Sequence, residues 1–387
     1  MARRKMAIDE EQVRGFLTEV FEDDLHVKRI VSLAHATLGA VQATSLSVAA
    51  IGKAMAWARG EDVSPKHAVK QVDRLLSNGG VELERLFPSW VRFVLAQRQE
   101  AVIALDWTDF EADDHETLVA SLVTRHGRST PLTWTTLVKS ASKGNRQLAE
   151  DLMLERLRTW AGPEVQVTIV ADRGFADVEF YALLDKLGFH YVVRFRADVR
   201  VMAADGESKL AREWVPEGGR AKLLRGARVT AAMRPVNAVV CVRRKGMKEA
   251  WCLATSFEEG TAQEVMDVYG RRFTTEETFR DVKDLKFGMG LKEVRVGTPE
   301  RRDKLLLISA FAQALLTLLG AAGESLGYDK HLKVNTAKKR THSLFTQGAY
   351  YFMAMPRMSD GRLLPLVERF NQLLREHDVF QQAFGFI

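Results

Sequence analysis

Two aspartates sit where apolar stretches of strand character meet polar turns. Val165-Gln-Val-Thr-Ile-Val-Ala171 runs into Asp172 and then Arg173-Gly174-Phe175, and Ala101-Val-Ile-Ala-Leu105 runs into Asp106. A carboxylate at the end of a buried strand is held by rigid backbone and still reaches solvent, which is the placement a catalytic metal ligand needs. A third carboxylate, Glu276, lies in a helical stretch with the spacing Tyr269-x-x-Arg272-x-x-x-Glu276-x6-Lys283. Seven residues of helix return to within about 20° of the starting direction. Tyr269, Glu276 and Lys283 therefore fall on one line, with Arg272 about 60° aside. Two strand-end aspartates and a helical glutamate form a hard oxygen donor set suited to two Mg²⁺ or Mn²⁺ ions about 3.5–4 Å apart, the arrangement of phosphoryl transfer. Asp106 is expected to bridge both ions, with Asp172 and Glu276 each completing one. Singly, each carboxylate could equally be a cap, a turn residue or a salt-bridge partner; their order and matching contexts favour catalysis.

The elements that must hold these groups are legible from periodicity. Ala101–Leu105, Thr117–Val123 and Leu132–Val138 read as strands of an antiparallel meander, the last two joined by a His126-Gly-Arg-Ser-Thr130 turn. A helix is expected at about 146–160, then the strand leading into Asp172. Phe180, Leu183, Leu184 and Leu187 mark a helical face stopped by Gly188, and Tyr191–Phe195 is a further strand. The order β-β-β-α-β-α-β implies an α/β fold in which helices flank a mixed sheet, as in ribonuclease H-like cores. Thr261-Ala-Gln-Glu264 behind Gly260 is a capping box that should start one helix running to about Leu285, before Phe287-Gly288. The domain reading is a helical DNA-binding region over 1–95, a catalytic core over 96–196 and 251–300, a β-rich basic insertion over 197–250, and a helical region over 301–387.

Charge is concentrated. The formal net charge of the 387-residue chain is +6, yet residues 220–248 carry nine Lys or Arg and no acid. That stretch contains Arg243, Arg244 and Lys245 at an expected hairpin, and it favours a polyanion surface over a merely solvated face. A second basic cluster spans Lys333 through Lys338-Lys339-Arg340 to His342, and Lys66–Leu76 reads as a basic amphipathic helix, equally a DNA-groove helix or a partly exposed surface helix. Cys241 and Cys252, both in apolar runs, offer neither a disulfide framework nor a cysteine metal site, which suggests a reducing compartment. No apolar segment follows Met1-Ala-Arg-Arg-Lys5, so no signal peptide is expected, and a loop is expected near Gly60-Glu-Asp-Val-Ser-Pro65. Leu305–Gly320, interrupted by Ser309, Gln313 and Thr317, is expected to be a buried core helix and no membrane span. Leu363–Leu374 is amphipathic, and its apolar face is assigned to dimerisation, with packing inside the chain as the alternative.

Asp106-Trp-Thr108, Ala171-Asp172-Arg-Gly-Phe175 and Tyr269-x-x-Arg272-Phe273-x-Thr-Glu276-x-x-Phe279-x-x-x-Lys283 resemble the DDE transposases of bacterial insertion sequences, in the subgroup with a Tyr-Arg-Glu-Lys signature. Phe273 stands where that family usually has Trp, and Thr275 where an aliphatic is common. Weaker resemblance extends to Lys70–Asn78 and to Arg340-Thr-His-Ser-Leu-Phe345. The resemblance implies a cytoplasmic, nucleoid-associated enzyme that performs cut-and-paste transposition with Mg²⁺ or Mn²⁺. Its partners would be double-stranded DNA, both terminal inverted repeats and target, and a second copy of the chain. It further implies that Tyr269, Arg272 and Lys283 hold phosphates beside Glu276, and that an aromatic of the β-insertion stacks on a flipped base; Trp214 is the candidate, Trp251 being expected in the core. A non-catalytic end-binding inhibitor and a ribonuclease H-like nuclease without strand joining remain the alternatives.

Overall fold

The computed structural model describes residues 8–59, 63–96, 98–124, 127–285, 288–334, 336–338 and 340–375. The Gly60-Glu-Asp part of the expected loop, His126, Phe287 and Lys339 lie outside the described residues, as do the first seven.

The N-terminal region is helical: α1 (Glu10–Phe21), α2 (Val27–Ala43), α3 (Val48–Arg59), α4 (Pro65–Leu76) and α5 (Leu83–Leu95). Asp9 and Gln12 cap α1 reciprocally, while Ser64 caps α4 with Pro65 in its first turn. Gly52 lets α3 and α4 touch, since a Cβ there would lie 2.5 Å from the Val69 Cα. Helix α4 buries Ala68, Val72, Leu75 and Leu76 and exposes Lys66, His67, Lys70 and Arg74.

The core follows as β1 (Glu100–Phe110), β2 (His115–Leu122), β3 (Thr130–Val138), α6 (Arg146–Ala161), β4 (Gln166–Ala171), α7 (Val178–Lys186) and β5 (His190–Phe195). After it come β6 (Arg200–Met202), β7 (Ser208–Leu210), β8 (Lys222–Arg225), β9 (Arg228–Val229), β10 (Arg234–Pro235), β11 (Ala238–Val242) and β12 (Trp251–Thr255). Among the described residues, one eight-stranded sheet has the order β3-β2-β1-β4-β5-β12-β11-β8, and a small second sheet has the order β10-β9-β6-β7. Strands β1, β4 and β5 are parallel to one another, and the remaining pairs of the large sheet are antiparallel. This is a mixed α/β sheet compatible with a ribonuclease H-like core. The basic stretch is not wholly set apart from it: β8 and β11 extend the core sheet past β5, and only β6, β7, β9 and β10 form their own sheet. Val239, Val240 and Leu253 are fully buried, so the apolar alternation of this hairpin serves the common core.

Strand β1 does not stop at Asp106. Its parallel partner β4 ends at Ala171, but its antiparallel partner β2 continues through Phe110↔His115, and the strand continues with it. The expected single helix over 261–285 is also two: α8 (Ala262–Gly270), opened by the Thr261/Glu264 capping box, and α9 (Phe273–Lys283). Between them Arg272 N–H donates to the Tyr269 carbonyl, and Thr275 N–H to that of Arg272. These three-residue steps tighten the backbone and turn the axis.

Helix α10 (Pro299–Ser325) is long and apolar enough to cross a membrane, but its apolar residues are buried inside the protein. It packs on α2, α4 and β3, and against α11 (Leu344–Ala354) and α12 (Asp360–Arg375). Arg301 on α10 pairs with Asp73 at 2.6 Å, and Lys304 donates to the Asn78 carbonyl, fixing the N-terminal helices to the core. The amphipathic face of α12, assigned to dimerisation from the sequence, is used within the chain: Leu363, Leu366, Val367, Phe370 and Leu373 are all buried. The α10–α11 crossing is closer than any side chain permits, because a Cβ at Gly348 would lie 1.8 Å from the Leu316 carbonyl oxygen. Gly348→Ala is therefore expected to destabilise the protein by about 3 kcal/mol through overpacking against backbone. Gly361→Ala, at an exposed position of α12 with nothing within 4 Å, should instead be neutral or stabilising by about 0.5–1 kcal/mol. Urea unfolding of the two variants tests this, and equal midpoints would contradict the close crossing.

Candidate active site

The last parallel pair between β1 and β4 is Leu105↔Ala171, so Asp106 and Asp172 are the next residues on adjacent strands. Strand alternation decides their direction. Val102, Ala104 and Val170 pack in the cluster beneath α8 with Val265, Met266 and Tyr269, and two-residue periodicity sends Asp106 and Asp172 to that same face. Trp107 points the other way, where its indole N–H donates to Glu150 of α6 at 2.7 Å. Behind Asp172 the chain turns at once: the Asp172 carboxylate accepts from Gly174 N–H at 2.8 Å, and Phe175 is buried.

Helix α9 lies over this end of the sheet. Glu276 is exposed, and Arg272, 6% exposed, links it to the strands: its guanidinium donates to Glu276 Oε1 at 2.7 Å and stands 3.4 Å from Asp106 Oδ1. Further along α9, Lys283 Nζ donates to the Thr108 hydroxyl at 2.6 Å and the Asp109 carbonyl at 2.8 Å, and sits over the Phe110 ring. Arg302 of α10 covers the same ring at 3.9 Å. The Tyr269 hydroxyl is buried beside the Arg272 guanidinium, whose Nε is also buried. Lys283 is pushed down to about 8, first by burial.

Asp106 is pushed up to about 6. Burial is the main cause, Arg272 opposes it, and the neighbouring Asp172 and Glu276 charges add to it. Among the described residues, no three Asp, Glu, His or Cys side chains stand close enough together to share a metal ion. A guanidinium, that of Arg272, stands between Asp106 and Glu276. The donor chemistry nevertheless suits a hard divalent cation: crowded carboxylates, one of them desolvated and destabilised by the other two, gain from any positive charge placed among them.

Two tryptophans differ in setting from the sequence reading. Trp214, at the end of the 3-10 turn after β7, is buried against the small sheet, its N–H donating to the Val201 carbonyl at 3.3 Å and its ring covered by Lys209, so it is not presented to a base. Trp251, expected in the core, is only half-buried and stacks on Phe273 at 5.9 Å, beside Tyr269. Phe273 is 40% exposed. The aromatic surface beside the carboxylates is therefore Trp251 and Phe273. Arg243, Arg244 and Lys245 are exposed at the β11–β12 turn, with Arg244 donating to Gln263 at 2.6 Å. The register through Ala171↔Val193, Cys252↔Phe195 and Cys241↔Lys222 brings that turn, Lys222 and Arg194 to the sheet edge that carries the aspartates. Glu249 ties it there, accepting from Arg173, the residue after Asp172, and from Arg194. Not every basic residue of the stretch is free: Arg234 pairs with Asp185, and Arg225 donates to the Gly260 carbonyl at 2.6 Å.

The sequence did not reveal what holds α9. Arg128 forms a two-pronged ion pair with Asp281, and Ser129 N–H donates to the Thr278 hydroxyl at 2.9 Å, so the β2–β3 connection grips the helix on the side away from Glu276. The partners lie about 150 positions apart, and no local pattern marks them.

The model of the transposase DDE domain family matches residues 97–315, over half of the chain. No curated protein matches the chain significantly.

Because the folded Asp106 carboxyl lies above its ordinary value of 3.8, its neutral form is favoured by folding. Its contribution is intact below about pH 4 and is lost as pH rises through about 6. Asp106→Asn should therefore gain stability over the parent by on the order of 3 kcal/mol between pH 4 and pH 8 in chelator. Urea titrations across that range measure it; a pH-independent difference would refute the crowding.

Proposed function

The chain belongs to the transposase DDE domain family, and on that premise we propose that it is a cut-and-paste DNA transposase. The proposed type is that of bacterial insertion sequences with the Tyr-Arg-Glu-Lys signature: it cleaves at the transposon ends and joins the freed 3′-hydroxyl to target DNA. The observation that carries this is the pairing of Asp106 and Asp172 just past Leu105↔Ala171, with Glu276 linked to Asp106 through Arg272. Asp106, Asp172 and Glu276 would hold Mg²⁺ or Mn²⁺, which supplies nucleophile activation and leaving-oxygen stabilisation when bound.

The chain's own residues supply positioning. Arg272, stacked on Tyr269 and Phe273, is preorganised to exchange carboxylates for a phosphate in bidentate geometry. The buried Tyr269 hydroxyl lies beside it to add a second donor. Lys283, half-buried two turns beyond Glu276, neutralises a flanking phosphate with little solvent screening. Arg243, Arg244 and Lys245 extend the positive surface along the sheet edge, and the exposed face of α4 offers Lys66, Lys70 and Arg74 to the same duplex. Paired cutting at two identical ends calls for a two-fold complex of two copies. Its interface would lie outside the apolar face of α12.

Asp106→Asn, Asp172→Asn and Glu276→Gln should each abolish cleavage of a plasmid carrying the inverted repeats that flank this gene, while retaining end binding in a gel-shift assay. Binding with no cleavage by the parent chain would instead identify an end-binding inhibitor, and nicking without joining a nuclease.

Replacing Arg243, Arg244 and Lys245 by Ala should weaken DNA binding and reduce the log–log salt dependence by about 0.9 for each phosphate that is no longer neutralised. An unchanged slope would return the turn to ordinary solvated surface.

A further inference from the structure

Glu276 is exposed on α9, yet it is drawn toward the strand carboxylates by a single side chain, Arg272. That side chain is nearly fully buried, approaches Glu276 at 2.7 Å and Asp106 more loosely at 3.4 Å, and leaves its Nε without a partner. Its backbone lies at the α8–α9 joint, where three-residue hydrogen bonds replace the helical ladder. Thus a cation with unspent donors sits between two expected metal ligands, on the one backbone segment of this helix pair that is not locked by a regular helix.

We propose that the Arg272 guanidinium occupies the place of a divalent cation in the free protein and suppresses metal loading until a DNA phosphate takes the guanidinium over. This rests on the phosphoryl-transfer reading above. Three carboxylates and one guanidinium leave a residual negative charge, but an incoming cation must displace or tolerate a buried like charge before it can reach both Asp106 and Glu276. A phosphate offers the guanidinium two coplanar oxygens, a better partner than one oxygen from each of two separate carboxylates. Handing Arg272 to the phosphate frees the carboxylates at the moment substrate arrives. Cleavage chemistry is then confined to protein already seated on DNA.

The test is Mn²⁺ binding by electron paramagnetic resonance on the full chain without DNA. Arg272→Gln is expected to bind Mn²⁺ at least ~10-fold more tightly than the parent, equivalent to about 1.4 kcal/mol, and adding Glu276→Gln to that variant should abolish the gain. Arg272→Lys, whose single ammonium cannot span both carboxylates, should fall between the two and serves if the Gln variant does not fold. Adding a duplex of the flanking inverted repeat, after subtraction of its own Mn²⁺ binding, should tighten the parent and leave Arg272→Gln unchanged. Parent protein that loads Mn²⁺ as tightly as either variant, or a parent that DNA does not tighten, would overturn the stand-in role while leaving the transposase reading intact. Failure of every chain to bind Mn²⁺, with or without DNA, would overturn both.

Discussion

The parallel pairing of β1 with β4 is the constraint from which the site follows. Once Leu105 is in register with Ala171, the next residue on each strand is an aspartate, and two-residue alternation sends both carboxylates to the face covered by α8 and α9. Nothing in either aspartate's own surroundings could bring them together; the sheet does it, with fully buried neighbours such as Ile103, Leu105, Ile169 and Ala171 fixing the register. A slip of one residue would turn Asp106 toward α6 and bring Trp107 over the site. Every other feature of the site is then arranged against this fixed pair.

The helical partner is positioned less directly. Glu276 depends on the angle at the α8–α9 joint, on the Arg128–Asp281 pair and on the Ser129–Thr278 bond. This makes the site a rigid half built on strands and an adjustable half built on a short helix. Such a division suits an enzyme whose substrate must enter between the two.

How much of this could be read from the sequence varied with the range of the interaction that decides it. The capping box at Thr261, the Lys66–Leu76 helix, the strand into Asp172 and the burial of the Leu305–Gly320 run were legible because local chemistry determines them. Three features were not. Strand β1 outlasts Asp106 because β2 continues beside it, which no property of β1 reveals. Residues 261–285 hold two helices because three-residue hydrogen bonds at Arg272 and Thr275 interrupt the ladder, which the helical spacing of the side chains does not reveal. Trp214 has the residue type of a stacking platform, but its indole N–H is committed to Val201, whereas Trp251 stacks on Phe273 from an adjoining element. The spacing of Tyr269, Arg272, Glu276 and Lys283 did not disclose that the arginine stands between Asp106 and Glu276.

Helix α10 is contributed late in the chain, yet it touches the earliest elements. Its flanks cover α2 and α4, Arg301 and Lys304 tie it to Asp73 and Asn78, and Arg302 reaches under β1 to Phe110 and His115. During synthesis the N-terminal helices therefore emerge more than 200 residues before the surface that covers them. Pairings of such long sequence separation are entropically slow to form and leave apolar surface open in the meantime. The N-terminal helices and the core sheet are consequently completed together, by the same late helix, and a chain stopped before α10 would leave both uncovered.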